Sequence, residues 1–173
     1  EFENLYKDFS ATNIKRRNFV EVFLVTNELM KIMYRAYQME KMITEKPKDF
    51  EKSVKRLKAQ LKQTYKNYDL RVDEAVFKNV MPFYNKNVDA SIYKKTAFTD
   101  TSSAFILLTG DVKEVLKKLN KDAAYVYAKP MIEAYDKEIN KAYKEKSMTI
   151  SALQKQYMKA MMEVLPTARY FPD

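Results

Sequence analysis

The chain has no histidine and no cysteine among its 173 residues. Without those side chains it cannot hold a Ser-His-Asp triad or a Cys-His pair, the usual apparatus of nucleophilic acyl transfer. It also lacks the thiolate and imidazole ligands that hold most zinc ions, and it can form no disulfide. Glycine occurs once, at Gly110, so there is no glycine-rich phosphate loop. One glycine cannot supply the tight turns that join several strands. No apolar run approaches the roughly 20 residues needed to span a bilayer. No stretch rich in Gly, Ser and Pro marks a linker, and no internal repeat recurs. Carboxylates are present, but nearly all fall on lysine-rich helix faces or at helix caps. No catalytic, cofactor-binding or metal-binding residue is assigned, and no cofactor is expected.

What is present favours helix. Lys, Glu, Ala, Leu and Met, all good helix formers, fill most of the chain. The expected fold is all-α, an irregular antiparallel bundle of about seven to nine helices forming a single domain over residues 1–173. The formal charge of 32 − 23 = +9 suggests nucleic acid or an acidic membrane surface. The plainer reading is a lysine-rich solvated face.

The apolar spacing divides the chain. Phe2, Leu5, Tyr6, Phe9, Phe19, Val20, Phe23 and Leu24 follow a helical period around a polar middle bearing Lys15-Arg16-Arg17. That basic cluster reads as exposed surface or inter-domain contact more readily than as a phosphate contact. Thr26 or Asn27 caps a helix to about Thr44 with a Met and Tyr stripe that reads as core rather than ligand groove. After Pro47, Asp49 is expected to cap a helix with Phe50, Val54, Leu57, Leu61 and Tyr65 inward. Its outer faces carry Lys52, Lys55, Arg56, Lys58, Lys62 and Lys66. These lysines are the best nucleic-acid candidate in the chain, but no aromatics interleave with them as a stacking platform requires, and a bundle helix with a wet face is preferred.

Further on, Asp73 is expected to cap a helix over 74–84, and Asp89 to start a short one through Ile92-Tyr93. Phe98-Thr99-Asp100-Thr101 starts the next. The run to Leu108 is the most uniformly apolar in the chain, so it is placed deepest in the core and ends on Gly110. Asp111 caps Val112–Leu119. Asp122 to about Lys146 is read as the longest helix, kinked at Pro130. Ser147 or Thr149 then caps a last helix, Met158, Met161, Met162 and Leu165 on one side, that breaks at Pro166 and leaves as Tyr170-Phe171-Pro172-Asp173. Glu1 is no initiator methionine and both ends read as cut, so the chain is expected to be a segment of a larger protein.

Five stretches in order carry a resemblance: ENLYKDFSATNIKRRNF, YKNYDLRVDEAVFKNVMPFY, AFTDTSSAFILLTGDVKEVLKKLNKDAA, AKPMIEAYDKEINKAY and QYMKAMMEVLPTARYFPD. Their most specific parts are Val72-Asp73-x-x-Val76 and the close Pro166, Arg169, Pro172, Asp173. Together they resemble the helical domain of the bacterial dipeptidyl aminopeptidases of serine peptidase family forty-six, the dipeptidyl peptidase 7 and 11 type. The resemblance implies a parent enzyme with a chymotrypsin-like double β-barrel carrying Ser, His and Asp. It implies that the helical domain, inserted between the triad's Asp and Ser, caps the cleft and helps restrict the enzyme to removing dipeptides from free peptide N-termini. It further implies export to the periplasm or cell surface, a homodimeric parent, and as partners a peptide substrate and the parent's catalytic barrel. The family's substrate-amine asparagine falls before Glu1 and is transferred to no residue. Polar residues near Thr99 to Ser103 are candidates for the cleft-facing side.

Two other functions compete: a basic helical nucleic-acid-binding module, motivated by the +9 charge and the lysines of 46–66, and an apolar-ligand bundle, motivated by ten methionines and thirteen tyrosines. The cap domain ranks first, and no nucleic-acid partner or membrane span is expected.

Overall fold

The structure, a computed structural model, describes residues 2–164. The expected break at Pro166 and the extended exit lie outside the described residues. Among the described residues every regular element is helical, as the shortage of glycine implied. Arg17–Tyr135 form one compact unit, and the described residues before and after it form a second.

In the Arg17–Tyr135 unit, helix α2 (Glu28–Glu45) is central. Helices α3 (Phe50–Thr64) and α8 (Ala123–Ala134) pack on it. Leu29, Met30, Ile32, Met33 and Ala36 of α2 are wholly buried, so the methionine stripe is core. Beside it lies an aromatic cluster. Helix α1 (Phe2–Phe19) ends in a π-helical turn, Val20–Val25. Phe19 stacks on Phe23 at 4.7 Å and on Tyr135 at 3.8 Å between ring centroids, with Tyr84 edge-on at 5.6 Å. The remaining helices are α4 (Leu70–Val80), α5 (Ile92–Lys95), α6 (Thr101–Leu107) and α7 (Val112–Leu119).

Several helix starts lie where short polar side chains predict them. Asn27, Asp100, Asp111 and Asp122 each accept a backbone N–H of the first turn they precede. Asp49 does not. It ends a 3₁₀ turn, Pro47–Asp49, and its side chain caps nothing. Asp73 is not the cap of its own helix either. Asp69, one turn earlier, holds that place by accepting from Arg71 and Val72, and the helix runs Leu70–Val80 instead of 74–84 before a 3₁₀ turn, Met81–Phe83.

Helix α6 is not the deepest element. Ala104, Leu107 and the following Leu108 are buried, but Ile106 is 71% exposed. A helix this short buries one face only, whatever the other face is made of. The expected kinked helix over 122–146 also divides differently. Helix α8 runs through Pro130 to Ala134, a π-helical turn covers Tyr135–Asn140, and α9 (Lys141–Val164) is the longest helix. Ser147 and Thr149 therefore lie inside α9 and cap nothing, and the Thr149 hydroxyl donates back to the Glu145 carbonyl at 3.1 Å.

The second unit is an antiparallel pair formed by α9 and the first part of α1. Tyr143 stacks on Phe9 with 5.3 Å between centroids, and the Arg16 guanidinium lies 4.5 Å over its ring. One residue of the basic cluster thus serves an intramolecular contact. Lys146 donates to the Asp8 carbonyl and the Thr12 hydroxyl, and Gln154 to the Tyr6 hydroxyl. Ile150 is the buried residue of α9.

Candidate functional site

Three buried or half-buried polar clusters hold the larger unit together, and each is satisfied internally. The first centres on Asp73, one turn into α4. Its carboxylate accepts from the backbone N–H of Glu28 at 2.7 Å and of Leu29 at 3.0 Å, so it caps α2 from a distance. Tyr93 donates to it at 2.8 Å, and Asn27 donates to the Tyr93 hydroxyl at 2.9 Å. Burial pushes the Asp73 carboxyl up, and the hydrogen bonds from Glu28, Leu29 and Tyr93 only partly offset this.

The second cluster is Asp122, which accepts from the Thr96 hydroxyl at 2.8 Å and the Ala97 N–H at 2.8 Å while it caps α8. The third joins α2 to α8. Glu40 accepts from the Tyr125 hydroxyl, from Lys129 at 2.8 Å and from Asn120 at 2.8 Å. Burial pushes the Glu40 carboxyl up, but hydrogen bonds from Asn120, Lys129 and Tyr125 outweigh it and hold the group below its ordinary value. Nothing in these clusters pairs a base with a nucleophile, and each acid is committed to a cap or an ion pair. Among the described residues no group of three or more acidic side chains is placed to hold a metal ion. No described helix is long and apolar enough to cross a membrane.

Within Thr99 to Ser103 the structure shows a helix cap. Asp100 accepts the Ser103 N–H at 2.9 Å, and the hydrogen bonds from Ser103 hold its carboxyl below the ordinary range. It is exposed and caps α6.

Two open surfaces stand apart from these clusters. One is a groove of about 560 Å³ between α3 and the α6–α7 region. Phe50, Val54, Phe105 and Leu108 line it, with Lys55, Lys58 and Lys62 on its rim. The Lys58 and Lys62 ammoniums lie 5.3 and 5.6 Å from the centroid of the same Phe105 ring. The lysine helix thus has its aromatic partner after all, contributed by another helix. The periodicity of α3 held no sign of it. The other surface is on α9, where Met148, Tyr157, Met158, Met162 and Val164 are exposed. A groove of about 620 Å³ runs along it between Ser151 and Glu163.

Among the described residues the chemistry is that of an all-helical protein with apolar and cationic surfaces, whose buried acids are committed to caps and an ion pair. No family model matches the chain. Over its whole length it is similar to two curated proteins. It is 31% identical over 191 aligned positions to an Asp/Glu-specific dipeptidyl-peptidase of Flavobacterium psychrophilum. It is 27% identical over 192 positions to an Asp/Glu-specific dipeptidyl-peptidase of Capnocytophaga gingivalis. The chain spans 27% of the length of each relative. The resemblance carried by the five stretches is thereby borne out: the chain corresponds to one segment of larger dipeptidyl-peptidases.

Proposed function

We propose that this chain is the non-catalytic helical cap of a serine-type dipeptidyl aminopeptidase, a hydrolase that releases dipeptides from free peptide N-termini. The observation that carries the reading is similarity along the whole chain to two dipeptidyl-peptidases of which it spans only 27%. The chain has no histidine to give a triad, so in this reading Ser, His and Asp stand on the parent's β-barrel. The cap covers the cleft, excludes water and positions the peptide, which restricts the enzyme to exopeptidase action. The exposed apolar side of α9 supplies a surface of the kind that docks on another domain. The relatives are named for Asp/Glu specificity, and we assign the same preference to the parent. The parent is exported to the periplasm or cell surface and acts as a homodimer.

The test is made on the full-length protein with chromogenic dipeptides ending in Asp, Glu or Leu, with free and acetylated amino termini. Release from free acidic dipeptides only, abolished by substituting a serine beyond Asp173, is expected. Release from blocked substrates would refute the exopeptidase assignment, and no release from any dipeptide would refute the peptidase.

A further inference from the structure

The geometry points to the α3–α6 groove as a docking site for acidic peptides that carry an apolar side chain next to the acid. Three features of the groove support this. The first is the position of the lysines. Lys58 and Lys62, one turn apart on α3, converge on one Phe105 ring. A ring face attracts an ammonium through its quadrupole, but two ammoniums brought to one ring repel each other. Among the described residues neither forms an ion pair with a carboxylate. The second is net charge. Lys55, Lys58 and Lys62 against Glu51 leave the lining at 3 − 1 = +2. The third is the floor of Phe50, Val54, Phe105 and Leu108, which rewards burial of an aliphatic or aromatic side chain.

An anion seated between Lys58 and Lys62 relieves their repulsion, and its apolar neighbour covers the floor. A single-stranded nucleic acid fits less well. It needs successive open ring faces for its bases, and here one ring is covered by two lysines. The choice of peptide over other anions rests on the proposed acidic-peptide activity of the parent.

The experiment uses the full-length protein and fluorescence anisotropy. The probes are a labelled, N-acetylated peptide of alternating Phe and Glu, the same peptide with Gln for Glu, and a labelled single-stranded oligothymidylate. The Phe/Glu peptide is expected to bind more tightly than the Phe/Gln peptide. Lys58→Gln with Lys62→Gln is expected to weaken it about five- to tenfold, the range of two exposed charge pairs. Phe105→Ala is expected to weaken both peptides. Lys66→Gln, in the turn just past the end of α3 and outside the groove, is expected to leave binding unchanged, so a general loss of positive charge is not the cause. Equal binding of the two peptides, or an unchanged affinity in the double variant, overturns the proposal. Oligothymidylate binding that falls in the double variant with a steep salt dependence, while peptide binding holds, assigns the groove to nucleic acid instead. Hydrolysis of free dipeptides is followed on the same samples. Groove binding without hydrolysis refutes the peptidase reading alone, and hydrolysis with unaltered peptide binding in the double variant refutes the groove alone.

Discussion

The two compact units use similar residues to different ends. In Arg17–Tyr135, Met30, Met33, Phe19 and Tyr125 are wholly buried, and buried acids are matched to donors on other helices. In the α1–α9 pair, Met148, Met158, Met162 and Tyr157 stay exposed, and the side-chain hydrogen bonds between the helices lie at the surface or half-buried. Within a two-helix unit each helix has a single partner, and isolated helix pairs draw little stability from propensity. A methionine stripe is therefore core or surface according to what else the chain folds against it.

Substitutions can break that contrast. The largest effect is expected from Phe19→Ala, which removes ring contacts with Phe23, Tyr34, Tyr84 and Tyr135 from a fully buried site. It should cost about 3–5 kcal/mol in urea unfolding followed by circular dichroism. A cost under about 1 kcal/mol would mean that the aromatic cluster adds little to the core. Next comes Asp73→Ala, which strands the N–H groups of Glu28 and Leu29 and the hydroxyl of Tyr93. About 3 kcal/mol is expected. Asp73→Asn keeps one good acceptor and should lose about half as much.

Smaller effects sharpen the contrast through pH. The Glu40 carboxyl is held below its ordinary value of 4.5 in the fold. The stability it adds is present above that value and is lost as pH falls through the lower folded one. Asp73 has the opposite sign. Its raised value means a contribution that is complete below its ordinary value of 3.8 and declines as pH rises through the folded one. Glu40→Gln should cost about 1–2 kcal/mol at neutral pH, and the gap from the unsubstituted protein should close on acidification. For Asp73→Asn the gap should instead narrow as pH rises. Unfolding curves from pH 3 to 7 distinguish the two.

The smallest change in stability is expected from Met158→Ser with Met162→Ser, within about 0.5 kcal/mol, since both side chains are already exposed. Amide exchange should also be faster along the end of α9 than along α2. If the double serine variant unfolds as readily as Phe19→Ala, the α9 face is core and the contrast fails.

Sequence signals specify a helix start where the partner is local. Asn27, Asp100, Asp111 and Asp122 bond to N–H groups two or three residues on, so the helix start is written beside the cap. Asp69 and Asp73 are one helical turn apart, and periodicity fits either as a cap. What decides between them is the start of α2, more than forty residues earlier. The peptide groove was hidden for the same reason. Lys58 and Lys62 are visible in α3, but Phe105 comes from α6, and no spacing rule joins them. The extent of α9 is not legible in the sequence because Ser147 and Thr149 suit caps in isolation. Within a continuous helix such hydroxyls turn back onto the preceding turn.

The distant cap on α2 sets an order of events during synthesis. Asn27 can satisfy the Met30 N–H as soon as both have emerged. The N–H groups of Glu28 and Leu29 must wait for Asp73, which lies 45 and 44 residues further on. At about 5–20 residues per second that is a delay of roughly 2–9 s. Through that interval Asn27 alone caps the entry to the central helix, and the N–H groups of Glu28 and Leu29 are left to water. The entry closes only when the fourth helix arrives, so the central helix cannot be finished before a helix that follows it by two places has emerged.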